Sequence, residues 1–292
     1  MCTDRRGYAK SKGIVVREDV NMILIVASTK DVAGMNIAQR IIDNYKFEKL
    51  SETFHKKPVY SKIVQNQEVK LLFVTEEIIY SQFVTDFFTP QLLVFVSKHS
   101  SVSGIPTLSV HTPGNLAEAE LGGIPRKVSI SPAGAMKDAL SEMAKLKDEM
   151  ELNYEVSYEC THHGPSLDVP TMFAELGSSL KQWKDMRAAE VVAHAAMAAV
   201  SKRSSYPTAL GIGGPHYNAK FTRIALSTQT AFGHMIPKYA IPQVDAEIIR
   251  QCVERTLENV DSAILDWKGI KGADKNKIVT ALGEIGVPIE KV

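Results

Sequence analysis

At 292 residues, 45% hydrophobic and 23% charged, the chain can bury a full core, which excludes a disordered, collagen-like or coiled-coil protein. Thirty-four lysines and arginines against thirty-three acids leave a formal net charge of +1, so a nucleic-acid or membrane partner must be met by a local patch. Three cysteines, Cys2, Cys160 and Cys252, are too few and too scattered for a disulfide framework. The longest apolar runs, such as residues 91–97, fall far short of the ~20 residues of a membrane helix, so a soluble intracellular protein is expected.

Residues 1–21 are basic and polar, with no apolar signal core. They read as a peripheral arm, or as sequence upstream of a start at Met22, and carry no assigned chemistry. From Met22 apolar runs alternate with helical periodicity. Residues 23–27 form a buried strand, and 31–44 a helix with Ala33, Ile37, Ile41 and Ile42 on one face. Strand-like runs follow at 69–74, 92–96 and 107–110, then a helix over 132–151 and strands at 154–160 and 171–176. A long Ala-rich helix is expected from 178 to about 202, capped by Ser178 or Ser179. Beyond it come a strand at 209–212, a helix over 243–259, a strand at 263–265, a helix at 275–282 and a last strand at 287–289. The alternation predicts an α/β fold with a mixed, mostly parallel sheet flanked by helices. Residues 22–292 are expected to form one catalytic unit, with a mild composition shift near 145–152 where two intertwined lobes would divide.

Six of the eight histidines sit in or beside turn-like sequence, most of them just after an apolar run: His99, His111, His162, His163, His216 and His234. In open α/β sheets ligands bind outside the carboxyl ends of the strands, so these imidazoles would converge on one crevice. Neutral imidazole ligates metals and exchanges protons near neutral pH. His162 and His163 are neighbours, and on an extended strand neighbours face opposite sides; both reach one ion only if the chain bends at Gly164-Pro165. Glu159 and Glu175 lie near the same strand ends, able to ligate, orient a histidine or act as base. No HExxH or CxxC motif fixes a metal. His55 in a polar loop and His194 in the Ala-rich helix read as structural.

Gly211-Ile212-Gly213-Gly214-Pro215-His216 after a strand has the look of a phosphate-cradling turn, but it lacks the Lys-Ser/Thr of a P-loop, and a plain tight turn fits it as well. Ser100 and Ser101 lack a nucleophile elbow. Trp267 suits stacking on a base or a place in the core. Basic residues gather weakly at Lys56-Lys57, Arg126-Lys127, Lys202-Arg203 and around Lys268.

Several strings are specific enough to name a family. Lys98-His99-Ser100-Ser101, His111-Thr112-Pro113-Gly114-Asn115, Tyr158-Glu159-Cys160-Thr161-His162-His163-Gly164-Pro165 and Glu175-Leu176-Gly177-Ser178-Ser179 resemble the archaeal and plant type of D-aminoacyl-tRNA deacylase. So do residues 209–217, Phe232-Gly233-His234-Met235-Ile236-Pro237-Lys238-Tyr239 and Asp266-Trp267-Lys268-Gly269. Pro215 departs from the pattern, standing where a third glycine or another small residue is expected. The resemblance implies hydrolysis of the ester between a D-amino acid and the terminal ribose of tRNA, a fold similar to phosphorylases and peptidyl-tRNA hydrolases, zinc as cofactor and a cytoplasmic site of action. It names D-aminoacyl-tRNA, through its acceptor end, as partner, and gives no sign of a membrane or an obligate protein partner.

On that reading His162, His163, Glu175, His216 and His234 are expected to be catalytic, with His162, His163 and His234 holding zinc or positioning water. His99, Ser100, His111, Lys238 and Lys268 are expected to meet the substrate, and the amides of Gly213 and Gly214 to receive the terminal phosphate or the oxyanion. Two other readings use the same residues. One is a zinc-dependent peptidase or amidohydrolase on a small peptide or amide; the other is a tRNA-binding protein without catalysis.

Overall fold

The structure, a computed structural model, describes residues 22–202 and 204–292. The peripheral arm expected at 1–21, and Arg203 of the basic pair, lie outside the described residues. Strand β1 (Met22–Ser28) is buried along its whole length, as a central parallel strand must be when both its faces are covered. Helix α1 (Val32–Tyr45) starts where the Asp31 carboxylate accepts the Gly34 amide at 2.9 Å. A hairpin follows, β2 (Glu48–Phe54) and β3 (Lys57–Val64), and leads into β4 (Gln67–Val74). Neither hairpin strand was expected: EKLSETF, the exposed sheet edge, carries few apolar residues, and in KPVYSKIV polar residues interrupt the apolar ones. A 3₁₀ segment, Ile78–Asp86, precedes β5 (Leu92–Lys98) and β6 (Thr107–His111).

Helix α2 (Ala133–Glu149) then leads to β7 (Glu155–Tyr158) and β8 (Thr171–Gly177). These eight strands form one sheet in the order β2-β3-β4-β1-β5-β8-β6-β7, with β4, β1, β5 and β8 parallel. Residues 145–149 are the end of α2 and 150–154 lead into β7 of this same sheet; the change of sheet comes after β8. The long helix expected over 178–202 is two: a single turn, α3 (Leu180–Trp183), and α4 (Met186–Ser201). Asp185, not Ser178 or Ser179, caps the longer one, accepting the amides of Arg187 and Ala188 at 3.0 and 3.2 Å.

The second sheet holds β9 (Thr208–Ile212) and, beyond helix α5 (Ala219–Ser227), β10 (Ala231–Ile236). Helix α6 (Ala246–Glu254) is shorter than the 243–259 expected, because Asp245 caps it by accepting the Ile248 amide. Strand β11 (Val260–Leu265), helix α7 (Gly272–Ile285) and β12 (Ile289–Lys291) complete an all-parallel sheet of order β10-β9-β11-β12. One apolar core runs from β1, α1, α2 and α4 into Phe221, Phe232 and Met235, so the two sheets share a packed interior. No described helix is long and apolar enough to cross a membrane.

Candidate active site

The site grows from the chain between β7 and β8. Glu159 and Cys160 continue the line of β7; Glu159 bridges to Tyr217, and the Cys160 amide donates to the His216 carbonyl at 3.0 Å. On the other side Pro113 bridges to His162, and the Gly114 amide donates to the His163 carbonyl at 2.7 Å. His163 itself adopts φ 42°, in the left-handed region, and so breaks the strand alternation one residue before the expected bend. The adjacent rings of His162 and His163 therefore lie with centres 4.3 Å apart, and that of His111 lies 4.4 Å from His162 and 4.9 Å from His163. Gly164 permits the approach: a Cβ there would come within 2.2 Å of the Gly123 nitrogen.

Each of the three rings is held by one nitrogen. Nδ1 of His162 faces the Cys160 carbonyl at 2.8 Å, Nδ1 of His163 the Gly164 carbonyl at 2.7 Å, and Nδ1 of His111 the Thr112 carbonyl at 3.3 Å. A carbonyl only accepts, so Nδ1 carries a hydrogen in each ring and Nε2 is the atom left to ligate. Nε2 of His111 is buried with no hydrogen-bond partner among the described residues. One ligand atom from each of the three lies within 4.8 Å of the others. Burial, with His163 and His111 alongside, holds the pKa of His162 well below the usual range; burial and His111 pull that of His163 down to about 4. Three imidazoles whose ligand atoms gather this closely fit a zinc ion, whose sites favour nitrogen donors held by backbone carbonyls behind them.

Beside the trio stands a second group of opposite character. Glu159, completely buried, reaches His216 Nε2 at 2.9 Å, His99 Nδ1 at 3.1 Å and His162 Nε2 at 3.6 Å. Glu175 accepts the Ser97 hydroxyl at 2.6 Å and lies 3.3 Å from His99 Nδ1 and 3.7 Å from His111 Nε2. Burial alone would raise both carboxyl pKa values. The histidines outweigh it: His216 and His99 hold Glu159 well below the usual range, and His111 and His99 bring Glu175 to about 2. Burial likewise pulls on the imidazoles, but Glu159 and Glu175 raise His99 to about 11, and Cys160 with Glu159 raises His216 to about 10. At neutral pH the group is two buried carboxylates locked to two imidazolium ions. The Tyr217 hydroxyl bonds His99 Nε2, while the Tyr239 hydroxyl and Cys160 Sγ lie 3.2 and 3.4 Å from His216 Nδ1.

Two cavities meet at the His162–His163 pair and share Leu121 as a wall. One, of about 340 Å³, opens between the carboxyl ends of β1, β5 and β8; the other, of about 520 Å³, lies between the 114–121 loop and the end of β10.

The expected residues separate accordingly. His99, His162, His163, Glu175 and His216 come together, and His99 and Ser100 border the first cavity. His111 is a correction: completely buried, it cannot meet substrate and stands behind the pair as its third imidazole. His234 is another. It is completely buried, with Nδ1 accepting from the Thr161 hydroxyl at 3.0 Å and Nε2 facing the carbonyls of Ser129 and Arg255 at 3.2 Å, so no lone pair remains for a metal. Gly213 and Gly214 form a packed turn, at φ 107° and 76°. The Gly213 amide is spent on the Ile236 carbonyl at 2.8 Å, and neither glycine lines the two cavities. Lys238 and Lys268 are exposed, just beyond the aligned carboxyl ends of β10 and β11. The Trp267 face is covered by the ammonium groups of Lys275 and Lys291, at 4.5 and 3.9 Å. His55 stacks on Phe54 and His194 bonds the Tyr45 hydroxyl, both among residues apart from the site. Cys160, Tyr217 and Tyr239 were not expected in the site, and Glu159 was noted only as a nearby carboxylate; spacing from His162 and His216 was the available signal.

Residues 86–290 match a family model described as D-aminoacyl-tRNA deacylase. The D-aminoacyl-tRNA deacylase of Pyrococcus furiosus is 38% identical over 277 residues, covering 92% of this chain and 100% of that one. That of Methanosarcina mazei is 35% identical over 286 residues, covering 95% of each. A crystal structure of a conserved protein of unknown function, AF0625, superposes with a TM-score of 0.83 at 30% identity, covering 93% of this chain and 95% of that one.

Proposed function

The chain belongs to the D-aminoacyl-tRNA deacylase family, and from that membership we propose that it hydrolyses the ester of D-aminoacyl-tRNA to free D-amino acid and tRNA. In this role it acts on the acceptor end of tRNA in the cytoplasm and removes D-amino acids from translation. The observation that carries the mechanism is the pairing of three clustered imidazoles with two carboxylate-held imidazolium ions where two cavities meet.

The proton acceptors at this junction are weak, with His163 near 4 and Glu175 near 2, so a strong general base is not among them. Zinc on His111, His162 and His163 would supply the missing electrophile, lowering the pKa of water and polarising the ester carbonyl. The chain's own residues do the rest. His216, on the wall of the first cavity, presents fixed positive charge to the oxyanion that forms on the ester carbon, with His99 adding to the field behind it. Glu159 and Glu175 keep both rings charged and oriented. Tyr217 and Tyr239 hold the outer nitrogens of those rings. Exclusion of water by Leu121 and Phe173 strengthens these interactions.

Tyrosine release from D-Tyr-tRNA, from L-Tyr-tRNA and from D-tyrosine amide tests the reading. Cleavage of D-Tyr-tRNA alone, lost on chelation and restored by zinc, is expected. Preferential cleavage of the amide would identify an amidohydrolase, and binding of tRNA without cleavage a non-catalytic protein.

A further inference from the structure

Two cavities converging on one pair of imidazoles leave open which part of the substrate each receives. Their charges differ. The first is lined by Lys30 and Lys98 and by the charged rings of His99 and His216, with Glu77 at its rim and Glu175 bound to His99. Neither lysine forms a salt bridge among the described residues. Asp31 in the same wall is occupied: its oxygens accept the Gly34 and Lys98 amides at 2.9 and 2.7 Å. This cavity also lies at the carboxyl ends of β1 and β5, where the strand order changes direction, the place where open α/β sheets bind ligands. The second cavity has no lysine or arginine among its lining residues and carries two carboxylates, Glu118 and Glu120, neither in a salt bridge among the described residues. A phosphodiester would be repelled there, whereas an α-ammonium group would be held.

We propose that the terminal nucleotide of tRNA occupies the cavity of Lys30 and Lys98, and that the aminoacyl group occupies the cavity of Glu118 and Glu120. The ester between them then crosses the His162–His163 pair. This rests on the ester-hydrolase reading above. Two anchors follow for the amino acid: its carbonyl at the imidazoles and its ammonium at the two acids. With both fixed, D and L isomers differ in where the side chain points, and the wall formed by the 114–121 loop decides which is admitted.

The test compares D-Tyr-tRNA with its N-acetylated form, which lacks the ammonium charge, using the full chain and its variants. Wild-type protein is expected to bind the free-amine substrate about tenfold more tightly, read as KM. In Glu118→Gln/Glu120→Gln that preference disappears. In Lys30→Ala/Lys98→Ala the preference persists while KM rises for both substrates, and inhibition by adenosine 5′-monophosphate weakens about tenfold. Loss of the amine preference in the lysine variant rather than the acidic one would overturn the assignment, as would equal effects of both variants on both substrates. Wild-type protein that leaves D-Tyr-tRNA intact would overturn the hydrolase reading itself, and the proposal with it.

Discussion

The rings of His111 and His162 lie with centres 4.4 Å apart, although a long helix and a strand separate them in the chain. The bridge from Pro113 to His162 brings them together, and both keep Nδ1 on a backbone carbonyl. His234, which the sequence placed in the same trio, is instead a structural histidine between Thr161 and two carbonyls.

His111→Ala and His234→Ala should therefore behave oppositely. His111→Ala is expected to lose bound zinc and at least about a hundredfold in deacylation rate, since both ligands and their supports are costly to remove. His234→Ala should retain zinc stoichiometrically and lose about 1–3 kcal/mol of stability, because the buried Thr161 O–H loses its acceptor and the Ser129 and Arg255 carbonyls lose the ring donor. Metal analysis and urea denaturation of the two variants distinguish the roles.

Glu159→Gln removes the charge that keeps His99 and His216 protonated. Their pKa values should fall from about 11 and about 10, with Glu175 still beside His99 and Cys160 beside His216, so both rings lose their charge at lower pH than in the wild type. The expected loss in kcat is about a hundredfold near pH 8, with partial recovery as the pH is lowered and the rings recharge. A pH profile of kcat unchanged in shape would assign Glu159 a purely structural role.

Much of this arrangement was legible in the residues. Strands β1, β5 and β8 announce themselves as apolar runs, and His99, His162, His163, Glu175 and His216 stand at or near strand ends. The hairpin β2–β3 was silent because β2, at the sheet edge, needs little apolar surface and β3 mixes polar with apolar residues. His234 misled because its position beside turn-like sequence matches that of a ligand, while its neighbours Thr161, Ser129 and Arg255 are distant in sequence. The Gly213-Gly214 turn misled in the same way: its amide goes to a neighbouring strand, which only the fold discloses. Glu159 needed the bridge to Tyr217 before its two imidazole partners could be seen.

Stability should depend on pH with a maximum near 6.5. Unfolded histidines protonate near that value, whereas burial holds His234 neutral down to about 4, so the folded state loses stability as pH falls through this window. For His216 and His99 the sign reverses. Their stabilisation is complete below 6.5 and is lost as pH rises towards about 10 and about 11. His234→Gln is expected to shrink the acid limb by about 3 kcal/mol, measured from denaturation midpoints across pH.

Gly164→Ala should damage the site without touching a titrating group. Its Cβ would collide with the Gly123 backbone at 2.2 Å, and backbone cannot swing aside as a long side chain would. A loss of about 1–3 kcal/mol in urea denaturation is expected, with reduced zinc content because the strain falls next to His163. Unchanged stability and metal content would contradict the tight packing described at this turn.

Anomalous diffraction at the zinc edge from crystals of protein active on D-Tyr-tRNA tests the central claim most directly. A peak among the Nε2 atoms of His111, His162 and His163 is the predicted result. A peak at His234, or full D-specific activity in crystals with no peak at the trio, would contradict it.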